Sequence, residues 1–176
     1  MPEHAWAYLL IGVLGIERLI ELLIARRNER WMLSRGAREY GHSFSKVLFT
    51  FHGLWFFSFI LEASLSQRSP LIGPVWIMGM LLLMQSLRYW CILSLGYHWN
   101  TKIIVLPRAE IVRKGPYRWL RHPNYWVVRI EMALYPLLFG CFFTAIVFGA
   151  ANLWILKKRI AEEEKALQSL RQQMQS

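Results

Sequence analysis

Tyr125 to Leu156 reads YWVVRIEMALYPLLFGCFFTAIVFGAANLWIL, and whether this stretch makes one helix or two decides the fold. As a single helix its 32 residues would run roughly 48 Å, against a membrane hydrocarbon core of roughly 30 Å. Pro136 lacks the amide that a helix interior needs, and Gly140 follows it near the middle of the run. The pattern therefore predicts two short, tightly connected helices that turn near the far side of a membrane.

Working outward, three further apolar stretches precede this one. Trp6 to Ile24 gives 19 residues with Glu17, Arg18 and Glu21 in its second half; Val47 to Ala63 is shorter and aromatic; Leu71 to Gly96 carries Gln85 and Arg88 in its last third. With 176 residues, 55% hydrophobic and only 18% charged, the chain has more apolar surface than a soluble domain of this size can bury. It is expected to be an all-α integral membrane protein. The net charge of +10 does not point to nucleic acid, because the basic residues sit in short stretches between the apolar segments.

The distribution of those cations sets the topology. Six Lys and Arg lie between Ala25 and Lys46, six between Tyr97 and Asn124, and five from Lys157 onward, whereas Ser64 to Pro70 has only Arg68. Cytoplasmic loops collect Lys and Arg, so the first three segments are expected on the cytoplasmic side. That arrangement requires five transmembrane helices, the last two forming the hairpin, with the N-terminus outside and the C-terminus cytoplasmic. A single fourth helix would leave the basic tail on the wrong side. No internal repeat or linker divides the chain, so residues 1–176 read as one membrane-embedded domain. The first apolar segment has neither a basic region before it nor a small-residue cleavage site after it, and is expected to remain in the mature protein. Cys91 and Cys141 match no disulfide or metal pattern and read as reduced packing residues.

Two polar constellations flank the hairpin. The first is Ile111-Val112-Arg113-Lys114-Gly115-Pro116-Tyr117-Arg118-Trp119-Leu120-Arg121-His122-Pro123-Asn124-Tyr125. Its Gly-Pro marks a turn, and Pro123 suits the first position of the fourth helix, whose free amides make an anion site beside His122. The plain alternative is that Arg118 and Arg121 hold lipid phosphates while His122 caps the helix. The second lies in the tail, where Asn152, Leu156, Arg159 and Glu163 fall at helical spacing and form one stripe carrying an amide, a cation and a carboxylate. The plain alternative there is a surface ion pair of Arg159 with Glu163. A hairpin would return the second constellation to the side on which the first begins.

Gly115-x-Tyr117-x-x-x-Arg121-His122-Pro123-x-Tyr125, followed by Arg159-Ile160-x-x-Glu163-Glu164-x-x-Leu167, resembles the isoprenylcysteine carboxyl methyltransferase family of integral membrane, S-adenosylmethionine-dependent enzymes. Asn124, Glu131, Asn152 and the Gly36-Ala37-Arg38-Glu39-x-Gly41 loop look like a bacterial branch that O-methylates alkylpyrones made by type III polyketide synthases. The resemblance implies S-adenosylmethionine as cofactor, a lipophilic acceptor, and a place in the bacterial cytoplasmic membrane among its lipids. By the same carry-over His122, Pro123, Tyr125, Asn152, Glu163 and Glu164 would hold the cofactor. Glu163 would take its ammonium group, and Arg159 its carboxylate or the acceptor. Glu131 is assigned a secondary catalytic role, against an ion pair with Arg129 or Arg18. Glu17, Arg18 and Glu21 read as a buried network, and His52 as a satisfied core histidine.

Two departures from the family pattern bear on the substrate. Members acting on prenylcysteine have a histidine where this chain has Ala109, and continue beyond the position at which this chain ends, Ser176. Both argue for an acceptor other than a prenylcysteine. Methyl transfer from a sulfonium is an in-line displacement, so orienting the reactants and excluding water is the main task, and no metal is called for. Membrane sterol reductases carry a similar Arg-His-x-x-Tyr element and use NADPH, and a non-enzymatic scaffold would leave both constellations as lipid anchors.

Overall fold

The computed structural model describes residues 5–65, 73–107 and 112–175, with side chains described up to residue 168 from residue 8. Arg68, the expected start of the third span at Leu71, Ala109 and Ser176 lie outside the described residues. Five α-helices carry the fold: α1 (Ala5–Leu33), α2 (His42–Leu65), α3 (Pro74–Leu95), α4 (Pro123–Leu138) and α5 (Phe142–Gln175). The long apolar stretch does divide in two, at Phe139 to Cys141, where Gly140 adopts φ 67°. The chain is predominantly helical, as expected, and among the described residues one short ribbon accompanies the helices. Strands β1 (Arg38–Tyr40) and β2 (Ile103–Val105) pair antiparallel, Arg38 opposite Val105 and Tyr40 opposite Ile103.

The helix ends follow from local chemistry. α1 runs nine residues past Ile24 through good helix formers and stops at Gly36, whose φ of 84° reverses the chain. There Gly36 donates its amide to Leu33 and Ala37 donates to Met32, the paired bonds of a Schellman cap. α3 opens on Pro74, where a missing amide costs nothing, and closes at Gly96 with φ 54°.

Two helices, His42–Leu65 and a run from Pro74 to His98, are long and apolar enough to cross a membrane. Their outward side chains are large and bare: Phe49 is 70% exposed and Trp76 79%. The inner faces of α1 to α4 meet in one core around Trp55, Phe59, Leu81, Met132 and Leu138. α4 lies between α3 and α5, and α5 also rests on α2.

Hydrogen bonds with α2 hold the hairpin in two places. Pro136 cannot supply the amide that Met132 would accept one turn earlier, and the indole Nε1 of Trp55 donates to that carbonyl instead, at 3.1 Å. At the turn, the Glu62 carboxylate of α2 accepts the amides of Phe143 and Thr144 at 3.0 and 2.8 Å, capping α5 from a neighbouring helix.

Candidate functional site

The Gly115–Arg118 segment forms a single 3₁₀ turn packed on α3. Gly115 has φ 54°, and a Cβ there would fall 2.0 Å from the Ser94 hydroxyl and 2.8 Å from the Trp90 indole nitrogen. Only glycine permits both the backbone angle and the approach. The turn carries Tyr117 into the cavity wall beside Cys91. Burial, reinforced by Cys91 and Glu163, holds the Tyr117 hydroxyl far above its ordinary pKa, so it remains a hydrogen-bond donor.

Pro123 is buried at the first position of α4. His122 precedes it, but its side chain makes no capping bond to the helix amides. Instead the imidazole stacks on the Tyr125 ring, centroids 5.5 Å apart, and faces two carboxylates of α5: Nδ1 is 3.8 Å from Glu163 and Nε2 3.7 Å from Glu164. The capping alternative is therefore set aside by the geometry.

The tail stripe is equally specific. Arg159 is buried, 3% exposed, and its guanidinium donates to the Thr101 carbonyl at 2.8 Å through Nη2 and to the Tyr125 hydroxyl at 3.2 Å through Nε. The Tyr125 hydroxyl in turn donates to Glu163. Among the described residues no ion pair joins Arg159 to Glu163; the tyrosine links them, and a surface ion pair is not what forms. Arg159 Nη1 is shielded from solvent without a hydrogen-bond partner, as is Asn124 Oδ1. Buried polar atoms of this kind are uncommon unless something else binds them.

These groups open on a cavity of about 1580 Å³. Typical small-molecule sites hold roughly 300–1,000 Å³, so there is room for two ligands side by side. His122, Asn124, Tyr125, Arg159, Glu163 and Glu164 all line it. Two predicted residues do not: Pro123 is buried at the start of α4, and Asn152 is fully buried with both amide atoms lacking hydrogen bonds.

Glu131 lines the same cavity but does not join Arg159 and Glu163. Its carboxylate is held by Arg88 of α3 and, at 3.5 Å, by Arg18 of α1. Of the two partners anticipated from sequence, Arg18 is present; Arg129 stacks on Trp126 at 4.7 Å instead. Arg88 was not foreseen as the bridge. The Arg18 guanidinium also grips Glu21, and Glu17 accepts bonds from Gln85 and Tyr89, so the charges of α1 form a network with α3 and α4. His52 is satisfied at Nδ1, which donates to the Leu48 carbonyl at 2.8 Å. Both cysteines are buried and free.

Thr101 escaped the sequence reading, while Tyr117 stands in the motif with no role assigned and Arg88 only as a charge in the third apolar stretch. Thr101 acts through its backbone carbonyl, which no side-chain pattern can signal.

Fold and site together define a helical membrane protein with a cavity lined by residues of all five helices, carrying cationic and acidic side chains on its wall. Residues 77–169, which span α3 to α5 and both constellations, match the isoprenylcysteine carboxyl methyltransferase family. The chain is 43% identical over 161 residues to Uncharacterized protein YpbQ of Bacillus subtilis (strain 168), covering 92% of this chain and 96% of that one. It is also 30% identical over 154 residues to an uncharacterized protein of Haemophilus influenzae, covering 87% and 90%. No solved structure matches. The chain belongs to the isoprenylcysteine carboxyl methyltransferase family. Enzymes of that family are membrane-integral and take their methyl group from S-adenosylmethionine, which favours methyl transfer over the hydride transfer of sterol reductases.

Proposed function

We propose that this protein is an S-adenosylmethionine-dependent O-methyltransferase acting on a lipophilic acceptor with an acidic oxygen, such as a long-chain hydroxypyrone, at the cytoplasmic membrane face. The observation that carries this reading is the convergence of His122 and Tyr125 from α4 with Arg159 and Glu163 from α5 on one cavity large enough for two ligands.

The residues present fit the methionine part of the cofactor, which bears a carboxylate and an ammonium group. Arg159 Nη1 is a buried cationic donor with nothing to bind, suited to a carboxylate. Glu163 is an acid with its second oxygen 3.8 Å from His122, suited to an ammonium. Tyr125 bonds to both and fixes their spacing. When bound, the cofactor supplies an electrophilic methyl group on a sulfonium, which is transferred to an oxygen nucleophile with release of the thioether. An acidic hydroxyl or carboxylate is already ionised near neutral pH, having given its proton to water, so these residues need only bind, orient and exclude solvent. Burial of Arg159 strengthens its hold on the anion.

An alkyl chain on the acceptor contributes about 0.8 kcal/mol per buried methylene, so activity should rise with chain length until the apolar part of the cavity is filled. The test compares initial methylation rates from labelled S-adenosylmethionine for a short-chain pyrone, a long-chain pyrone and a farnesylcysteine analogue in the same nanodiscs. The long-chain pyrone is expected to be fastest. Preference for the farnesylcysteine would overturn the acceptor class alone; no methylation of any acceptor, with no thermal protection by S-adenosylhomocysteine, would overturn the enzyme.

A further inference from the structure

We infer that the outer face of α4 carries a site for the phosphodiester headgroup of an anionic phospholipid, built from Arg129, Trp126 and Arg121. The inference does not rest on methyl transfer, only on the membrane setting.

A groove of about 190 Å³ adjoins the main cavity across Leu120, Arg121 and the His122–Tyr125 stack, and Trp126, Arg129 and Ile160 line it alone. It is smaller than the roughly 300 Å³ of ordinary small-molecule sites, which suits a headgroup rather than a second substrate. Arg129 is the decisive residue. Arg18 and Arg88 are committed to buried carboxylates, whereas among the described residues no carboxylate lies within ion-pair distance of Arg129. Its guanidinium is held 4.7 Å over the half-exposed Trp126 ring, and its Nε is shielded from solvent with no hydrogen-bond partner. A fixed, unpaired cation with an unused donor calls for an anion.

Position says which anion. Arg129 lies six residues after Pro123, about 9 Å along α4, within reach of the headgroup level by its own side chain. Arg121 stands at the rim, its side chain 86% exposed, and among the described residues its ion-pair partner is Glu164 at 3.6 Å. Trp119 and Trp126 are exposed beside it, as aromatic residues are at a membrane interface. Leu120 and Ile160 offer an apolar path for the first part of an acyl chain. A phosphodiester with a neutral glycerol head would meet the unpaired Arg129 guanidinium, with Arg121 beside Glu164 at the rim, whereas the choline cation of a zwitterionic lipid would be repelled by Arg129.

The test delivers phosphatidylglycerol and phosphatidylcholine in equal amounts to the full-length detergent-solubilised protein and counts retained lipid by native mass spectrometry. Phosphatidylglycerol should be retained preferentially. Arg129→Gln should reduce its retention roughly tenfold. Arg30→Gln, which removes an equal charge from an exposed position at the end of α1, should leave retention unchanged. Equal retention of both lipids, no loss with Arg129→Gln, or an equal loss with Arg30→Gln would each overturn the site. Should Arg129→Gln fail to fold, Trp126→Leu removes the platform and is expected to weaken retention several-fold, and unchanged retention would be equally fatal.

Discussion

The Tyr125 hydroxyl accepts from Arg159 and donates to Glu163, so one side chain from α4 holds a cation and an anion of α5 that do not pair with each other. Glu163 and His122 both face the cavity and neither belongs to the apolar core. Glu163→Gln and His122→Ala should therefore each leave the protein folded in detergent. Loss of a charge-assisted contact costs roughly 1.5–3 kcal/mol, so each substitution is expected to weaken S-adenosylhomocysteine binding tenfold or more by calorimetry. Unchanged affinity in both would return the two constellations to a lipid-facing role. At this scale the sequence singled out His122, Tyr125, Arg159 and Glu163, and the structure brings all four to one cavity. The sequence was silent on the role of Arg88, a residue that reads as one charge in an apolar helix until Glu131 is placed beside it.

Pro136 leaves the Met132 carbonyl without its helical donor, and Trp55 of α2 repairs the gap from outside the helix. Trp55→Phe keeps an aromatic ring in the core but removes that donor, stranding a carbonyl in apolar surroundings at a cost of about 1–3 kcal/mol. The thermal midpoint in a fixed detergent should fall by several degrees, while Trp76→Phe, at a position 79% exposed, should not move it. The ribbon invites a second measurement. Burial alone would raise the Glu39 pKa, but His42 and Lys102 outweigh it and hold the carboxyl below its ordinary value; Lys102, bonded to Glu29 and Glu39, is raised. A depressed carboxyl contributes stability that is present above its unfolded pKa and lost as pH falls through the folded one. Amide protection factors across β1 and β2 should accordingly drop on the acid side of the ordinary carboxylate range, and pH-independent protection would remove Glu39 from the account. The ribbon was not legible in sequence, because Arg38–Tyr40 is three residues long, has no alternation to read, and is defined only by a partner 63 to 67 residues away.

For the molecule as a whole, two helices are long and apolar enough to cross a membrane, and the path of the remaining three is left to charge. The 17 to 1 bias of Lys and Arg predicts five spans, with the N-terminus outside and the C-terminus cytoplasmic. α4 has 16 residues, about 24 Å, shorter than a hydrocarbon core of roughly 30 Å, so the α4–α5 turn would sit within the far part of the membrane. In that placement Glu62 would supply the acceptor that the amides of Phe143 and Thr144 need away from water. Tags at the two termini should report opposite sides in sealed vesicles; labelling of both from one side would remove the hairpin from the membrane and with it the proposed access of a lipid substrate.

Sequence alone determined that the chain is helical and apolar and that its last long stretch divides near Pro136 and Gly140, with polar side chains grouped at both ends of that stretch. Those properties are local: composition, helical spacing and the missing amide of proline act over a few residues. Tertiary structure alone decided that Asn152 and Pro123 lie off the cavity lining, that Glu131 serves an ion network with Arg18 and Arg88, and that Tyr125 joins Arg159 to Glu163. Each of these depends on which faces of different helices meet. A partner on another helix adds no period to its own sequence, and so leaves no trace there to read.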